Sequence, residues 1–423
     1  MYDINLRGRR YSGKDMEEIY IVGVDIGSSK VSATIGKIEK QGNLTILDSV
    51  AKESQDIRNG EVIDIHNLSD ALKSCISELE NLVNLSIDEV YLGIPAGICR
   101  ILEGKGVFTL PKENIKIEEK DVEKALEFSK SISIPNDEEI IDIIPYRYKV
   151  DENEDIENPI GMVGSKLEAD TKLVVVKRSV ISSRIKILDN IGLKIKALLI
   201  QAESSKDLYN SSTYSTGNVL IIDTGANNSD VAYYEKGILT DTFQIPLGGN
   251  IITKDIAFCT NTDINDAENL KKKDGKLIKE QEDDKEIKNG LENKDVVEQI
   301  VSARVEEILS FIHKETEERG YKDKIDNIVL LGGGISLFKG AKEFTHRVMN
   351  KSVYILQPYE ILNKPLTINS LSIVKNVYNE LKLDYRVVEN VEEDFEFKST
   401  RRNRKKNNSD FKSKIKRFFD EFF

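Results

Sequence analysis

The chain has 423 residues, 39% of them hydrophobic and 32% charged, with a formal net charge of -12. That length supports two or more domains with substantial cores, no run of about 18 apolar residues exists to span a bilayer, and the acidic balance argues against general nucleic-acid binding. Cys75, Cys99 and Cys259 have no paired spacing and the three histidines are scattered, which supports neither a disulfide framework nor a zinc site and suits a reducing cytoplasm.

Residues 1–18 are polar and lack the apolar core of a signal peptide; they read as a loose extension. From Ile21 to Ile38 the chain runs apolar strand, Asp-x-Gly-Ser-Ser turn, alternating strand. A carboxylate on Asp25 at the end of a buried strand suits a hydrated divalent cation, and Gly27, Ser28 and Ser29 offer backbone N–H groups and hydroxyls to a phosphate chain. Lys30 adds positive charge, and Gly27 is expected to use a positive φ in a tight turn. The same residues also suit a plain hairpin. A strand at Leu44 to Val50 completes a meander. An amphipathic helix over Asn67 to Val83 follows, with Leu68, Leu72, Ile76, Leu79 and Val83 on one face and Cys75 beside them as a core thiol. Glu89 to Ile94 is the next strand.

Residues 97–173 read as an inserted α+β subdomain: a strand near Gly106 to Leu110, a helix from Glu118 to Ser131 and strands near Ile140 to Val150. A strand at Lys172 to Lys177 and a helix at Ser179 to Ile191 return to the first domain, and Lys194 to Ile200 leads into Gln201. Val219 to Gly237 then repeats the opening pattern, with Asp223 and Gly225 where Asp25 and Gly27 stood. Such a repeat suggests two halves facing one another across a cleft that holds one nucleotide. Ser229 is expected to offer a hydroxyl there, and the turn to survive because Asn tolerates left-handed backbone.

Asn250 reads as the cap of a helix, and Glu268 and Lys271 share the face of another, either as ligand contacts or as an exposed ion pair. Residues 276–293 are rich in charge. A long helix spans Asp295 to Arg319, and a strand at Ile328 to Leu331 ends in Gly332, Gly333, Gly334, Ile335 and Ser336, where backbone can pass against a flat ligand. A helix over Phe338 to Met349 follows. Residues 384–409 lack apolar periodicity and read as a flexible tether. In the last segment Phe411, Ile415, Phe418, Phe419 and Phe422 fall on one helical stripe bordered by Lys412, Lys414, Lys416 and Arg417. That pattern fits a reversible anchor on anionic membrane lipids, or a helix docked on the protein's own core.

Two Asp-Gly hairpins followed by a Gly-Gly-Gly turn resemble the actin and sugar-kinase ATPase superfamily. Within it, GIPAG at Gly93 to Gly97, DVEKAL at Asp121 to Leu126, IIDIIPYRYKVD at Ile140 to Asp151 and NPIGMVGSKLE at Asn158 to Glu168 resemble the bacterial cell-division protein FtsA family, over about Ile19 to Leu383. The resemblance implies an α/β, actin-like two-domain fold: subdomain 1A at 19–96 and 174–214, an inserted 1C at 97–173, 2A at 215–247, a reduced 2B at 248–323, and 2A with a return to 1A at 324–383. The tether and an amphipathic helix at 410–423 follow. It also implies ATP with Mg2+ at Asp25 and Asp223, Gln201 orienting the attacking water (a plain helix N-terminal residue is the alternative), and Glu268 and Lys271 at the adenine and ribose. FtsZ, filament formation with itself and other division proteins are its implied partners, at the cytoplasmic face of the membrane. Relatives carry Gly-Gly-Gly-Thr-Thr in the second turn; Gly225, Ala226, Asn227, Asn228 and Ser229 stand here, so hydrolysis is expected to be slow or absent. An actin-fold pilus-assembly adaptor and a small-molecule kinase are the alternatives.

Overall fold

The structure is a computed structural model that describes residues 19–39, 42–58, 60–206, 208, 217–277, 293–356 and 367–381. The polar extension, most of the charged stretch at 276–293, the tether and the C-terminal stripe lie outside the described residues. The chain divides into units at 1–378 and 379–423.

Strands β1 (Ile19–Ile26), β2 (Lys30–Ile38) and β3 (Leu44–Glu53) form an antiparallel meander. A small hairpin, β4 (Ile57–Arg58) and β5 (Glu61–Val62), precedes helix α1 (Ile65–Val83). The Asp64 side chain starts α1 by accepting the N–H groups of His66 and Asn67. Leu68, Leu72, Ile76 and Leu79 are buried, and so is Cys75, whose thiol is pushed up to about 12 by burial; it is a core residue. Strand β6 (Glu89–Ile94) pairs parallel with β1 and runs into a single 3-10 turn at Ala96–Ile98.

The insert comprises β7 (Arg100–Thr109), β8 (Ile115–Lys116), α2 (Glu119–Ser129), β9 (Glu138–Val150), β10 (Asn153–Ile156), β11 (Val163–Gly164) and β12 (Lys166–Lys177). Its main sheet, β10-β9-β12-β7, is antiparallel. Its core contains Val122, Ala125, Val150, Leu167 and Ala169. The chain returns through α3 (Arg178–Asn190), β13 (Lys194–Ile200) and α4 (Gln201–Lys206).

The second half holds β14 (Val219–Thr224), β15 (Ser229–Glu235), β16 (Ile238–Ile245), α5 (Gly249–Thr260), α6 (Ile264–Asp274), α7 (Asn293–Glu318), β17 (Asn327–Leu331), α8 (Ala341–Met349) and β18 (Ser352–Ile355). The expected start of α8 at Phe338 moves to Ala341 because Gly340 turns left-handed, with φ of 88°. A closing helix, α9, covers 368–381.

The two five-stranded sheets have one topology. Their orders are β13-β6-β1-β2-β3 and β18-β17-β14-β15-β16, with antiparallel meanders and parallel flanking strands in the same places. Register repeats as well: Asp25 pairs with Ser32 and Asp223 with Asp230, one position before the end of each strand. Ile21 to Ile38 and Val219 to Gly237 are therefore one unit used twice. Helix α9 lies on the first sheet, where Gly23, Gly36 and Gly93 leave room that a Cβ would fill with Ser370, Ile373 or Val374 atoms at 2.4–2.7 Å.

Candidate functional site

The two Asp-Gly turns close in the same way. The Gly27 N–H donates to Lys30 O and the Gly225 N–H to Asn228 O, both at 2.9 Å. Neither glycine has a positive φ, and no residue of either turn does, which corrects the expectation for Gly27 and for the asparagines of the second turn. The turns need compactness and not left-handed backbone: a Cβ on Gly27 would lie 3.2 Å from Lys30 O. Among the described residues, the N–H groups of Ser28 and Ser29 and of Ala226 and Asn227 donate to no backbone carbonyl. Four backbone donors thus remain in the two turns that begin beside the aspartates.

Asp25 and Asp223 lie close enough that the charge of Asp25 raises the pKa of Asp223. Asp25 is 3% exposed, and burial raises its carboxyl, opposed by Lys30, Gln201, Arg184 and Asn369. Burial, with the charge of Asp25, pushes Asp223 up to about 6. Lys30 serves both carboxylates, and its own ammonium is pushed down by burial. A buried carboxylate and a partly exposed one, both raised by desolvation, with hard oxygens and few neutralising charges, fit a divalent cation that keeps several waters and takes its remaining ligands from phosphate. Among the described residues no cluster of three or more His, Cys, Asp or Glu is arranged for a metal, so a dedicated all-protein cage is absent there.

Gln201 opens α4 and is buried; its Nε2 donates to Asp25 Oδ1 at 2.5 Å. It also lines, with Ala96, Asp223 and Asp230, a small cavity with room for about one water. Ser229 departs from expectation: its hydroxyl donates to Leu247 O at 2.9 Å, and its side chain is wholly buried. It therefore braces β15 and is not free for a ligand. Ser336 likewise donates to Gly332 O at 2.6 Å. Gly332 has φ of 74°, and a Cβ there would come within 2.3 Å of Asp223 Oδ1. Gly334 N–H bonds Thr224 O at 2.8 Å, so both glycines pack on the second turn, while only Leu337 approaches Gly333.

Glu268 and Lys271 are not an exposed pair. Lys271 Nζ lies 2.5 Å from Glu268 Oε2 and reaches Thr253 Oγ1 at 2.8 Å and Gly249 O at 3.2 Å, with the lysine 7% exposed. Gly249 in turn lies against Gly334. The pair therefore stands beside the second turn and the Gly-Gly-Gly turn. Asn250 is the second residue of α5 and not its cap, because Gly248 takes that place and the N–H groups of Gly249 and Asn250 donate to Gly225 O and Ala226 O.

Three groups escaped the sequence reading. Asn369, on α9, donates to Asp223 Oδ2 at 3.3 Å and also bonds Asp25. Asp230, the second residue of β15, is pushed up to about 7 by burial and accepts from Gln244 Nε2 at 2.9 Å; its pairing opposite Asp223 was the signal available. Arg184 is buried on α3, donates to Val180 O and Gly60 O, and projects its charge toward Asp25 and Asp230.

Paired sheets of one topology, each ending in an Asp-Gly turn, define an actin-like two-domain fold. Among solved structures, the PilM-PilN type IV pilus biogenesis complex is similar at a TM-score of 0.58 and 13% identity, covering 85% of this chain and 98% of that one. The ethanolamine utilization protein EutJ from Carboxydothermus hydrogenoformans matches at 0.51 and 14%, over 85% and 90%. The SHS2 domain inserted in FTSA matches residues 97–175, and the cell division protein FtsA model matches 220–372. Cell division protein FtsA of Bacillus subtilis is 27% identical over 81% of this chain and 79% of its own length; that of Neisseria meningitidis is 27% identical over 82% and 86%. The chain belongs to the FtsA family of actin-like cell-division proteins.

Proposed function

We propose that this FtsA-family protein binds ATP with Mg2+ between its two Asp-Gly turns and uses the bound state to assemble on the cytoplasmic face of the membrane at the division site, where it tethers FtsZ filaments and recruits other division proteins. The observation that carries the reading is the convergence of Asp25, Asp223 and Lys30 with a shared partner, Asn369, at the ends of two equivalent strands. Asp25 and Asp223 would hold the hydrated cation, which would neutralise phosphate charge and draw the two turns together. Free N–H groups of Ser28, Ser29, Ala226 and Asn227, with the Ser28 and Ser29 hydroxyls and Lys30, bind the phosphate oxygens. Lys271 and Glu268 stand where the nucleoside end would lie.

Hydrolysis is slow in this reading. Ala226 and Asn227 put side chains where relatives resembling this chain have glycines, and Gln201 is held by Asp25 instead of being free to steer a water. Membrane attachment falls to the stripe at Phe411 to Phe422, outside the described residues. No described helix is long and apolar enough to cross a membrane. Each side chain of that stripe is worth about 1.5–3 kcal/mol if fully buried, and a short helix is marginal in water; one tail holds weakly, and many in a filament hold by avidity. A pilus-assembly adaptor shares the fold, but the insert matches the SHS2 domain of FtsA and favours division. The test is flotation of FtsZ filaments with anionic liposomes: this protein and ATP together are expected to bring FtsZ to the lipid. FtsZ that stays unfloated while this protein floats would overturn the tethering role.

A further inference from the structure

The third residue of the second turn, Asn227, has a side chain engaged on both sides. Its Oδ1 accepts from Asn250 Nδ2 at 2.8 Å, within the second domain, and its Nδ2 donates across to Ile57 O of β4, in the first domain, at 3.3 Å. The orientation of the amide is fixed chemically, because a carbonyl such as Ile57 O can only accept. The segment it grips is tied to the first turn as well: the Ser54 N–H donates to Ser29 O at 3.0 Å. Beyond it, the Ile63 N–H bonds Asp56 O at 2.8 Å, and Arg184 Nη2 holds Gly60 O at 3.2 Å. Residues Ser54 to Ile57 therefore run from one phosphate turn to the other, anchored at both.

We propose that Asn227 is a positioning residue that clasps this segment over the phosphate end of the cleft and sets how long a nucleotide stays bound. The inference rests on the nucleotide reading above. Opening the cleft at that end requires the Asn227–Ile57 bond to break, whereas a glycine at 227 offers nothing to break. Asn250 acts through Asn227, fixing its amide plane, so the two asparagines work as one device. A chain with slow turnover and a clasp of this kind holds its nucleotide as a lasting switch.

The test compares wild type with Asn227→Ala, which keeps an ordinary backbone, and with Asn250→Ala and the double variant. Release of a fluorescent ATP analogue is followed by stopped flow, and amide exchange at Ser54 and Ile63 is followed without nucleotide. Asn227→Ala is expected to release the analogue about tenfold faster, a change of about 1.4 kcal/mol, and to speed exchange at both amides. Asn250→Ala moves both readouts the same way, and the double variant adds nothing to Asn227→Ala. Unchanged exchange in folded Asn227→Ala, or fully additive effects in the double variant, would overturn the clasp. A wild type that binds no nucleotide removes the nucleotide reading instead, and the exchange data alone then decide the clasp.

Discussion

Replacing Gln201 probes the centre of the site without touching either aspartate. Its Nε2 donates to the buried Asp25 carboxylate at 2.5 Å, a bond to a charged group of about 1.5–3 kcal/mol. Truncation also empties space beside Gly93, where the Gln201 Cγ and Nε2 lie 3.1 Å from the position of an added Cβ. Together these put the cost of Gln201→Ala at about 2–4 kcal/mol at pH 7. The pH dependence has a definite sign. Asp25 is already raised, by burial first, and Gln201 is one of the groups holding it down; without Gln201 its folded pKa climbs further above the unfolded value. The penalty is therefore fully present where Asp25 is ionised in the variant as well as in wild type, and it fades as pH falls from the variant's higher pKa to that of wild type. Gln201→Glu sets a second carboxylate against Asp25, so it costs more than alanine at pH 7 and recovers more steeply on acidification. Urea unfolding of the nucleotide-free variants at several pH values, read as midpoint shifts at constant slope, measures this. A Gln201→Ala protein within about 0.5 kcal/mol of wild type at pH 7 would refute the reasoning.

Other outcomes follow from the same description. In the insert, Glu168 sits 2.7 Å from Lys105 Nζ and 2.5 Å from Lys166 Nζ, and those bonds hold its carboxyl down to about 2. Its contribution is complete above the ordinary glutamate pKa and lost as pH falls through about 2, so Glu168→Gln, with both lysines exposed, costs about 1 kcal/mol at pH 7 and much less at pH 2 by the same unfolding assay. Steady-state phosphate release is expected well below the range of about 1–100 per second typical of kinases; rates inside that range would contradict the reading of the second turn. Deleting residues 410–423, or placing charge at Phe418 and Phe419, is expected to abolish flotation with anionic liposomes while ATP binding persists, and a truncated protein that still floats would rule out the anchor.

What could be read from the sequence was local. Asp25 to Lys30 and Asp223 to Ser229 are strand-turn-strand units whose chemistry is complete within about ten residues, and their repetition announces the paired sheets. What failed depended on partners outside the local unit. Ser229 is consumed by Leu247 O, 18 positions on, and Asn227 by Ile57 O, 170 positions away. Asn250 lost its place as a cap because carbonyls of the second turn satisfy the first N–H groups of α5. Asn369 reaches both aspartates only because α9 docks on Gly23, Gly36 and Gly93, and nothing within α9 itself signals that seat. The Glu268 and Lys271 spacing was visible, but only the contact with Gly249 and Thr253 shows that the pair is not an exposed one.

The central claim, that one nucleotide is held by two equivalent Asp-Gly turns, is tested most directly by calorimetric titration of ATP with magnesium into wild type, Asp25→Ala and Asp223→Ala. Wild type is expected to bind, and each variant, shown to be folded by circular dichroism, to lose magnesium-dependent binding to the same extent. Unchanged affinity in either folded variant, or no binding in wild type, would contradict a cleft built from both turns.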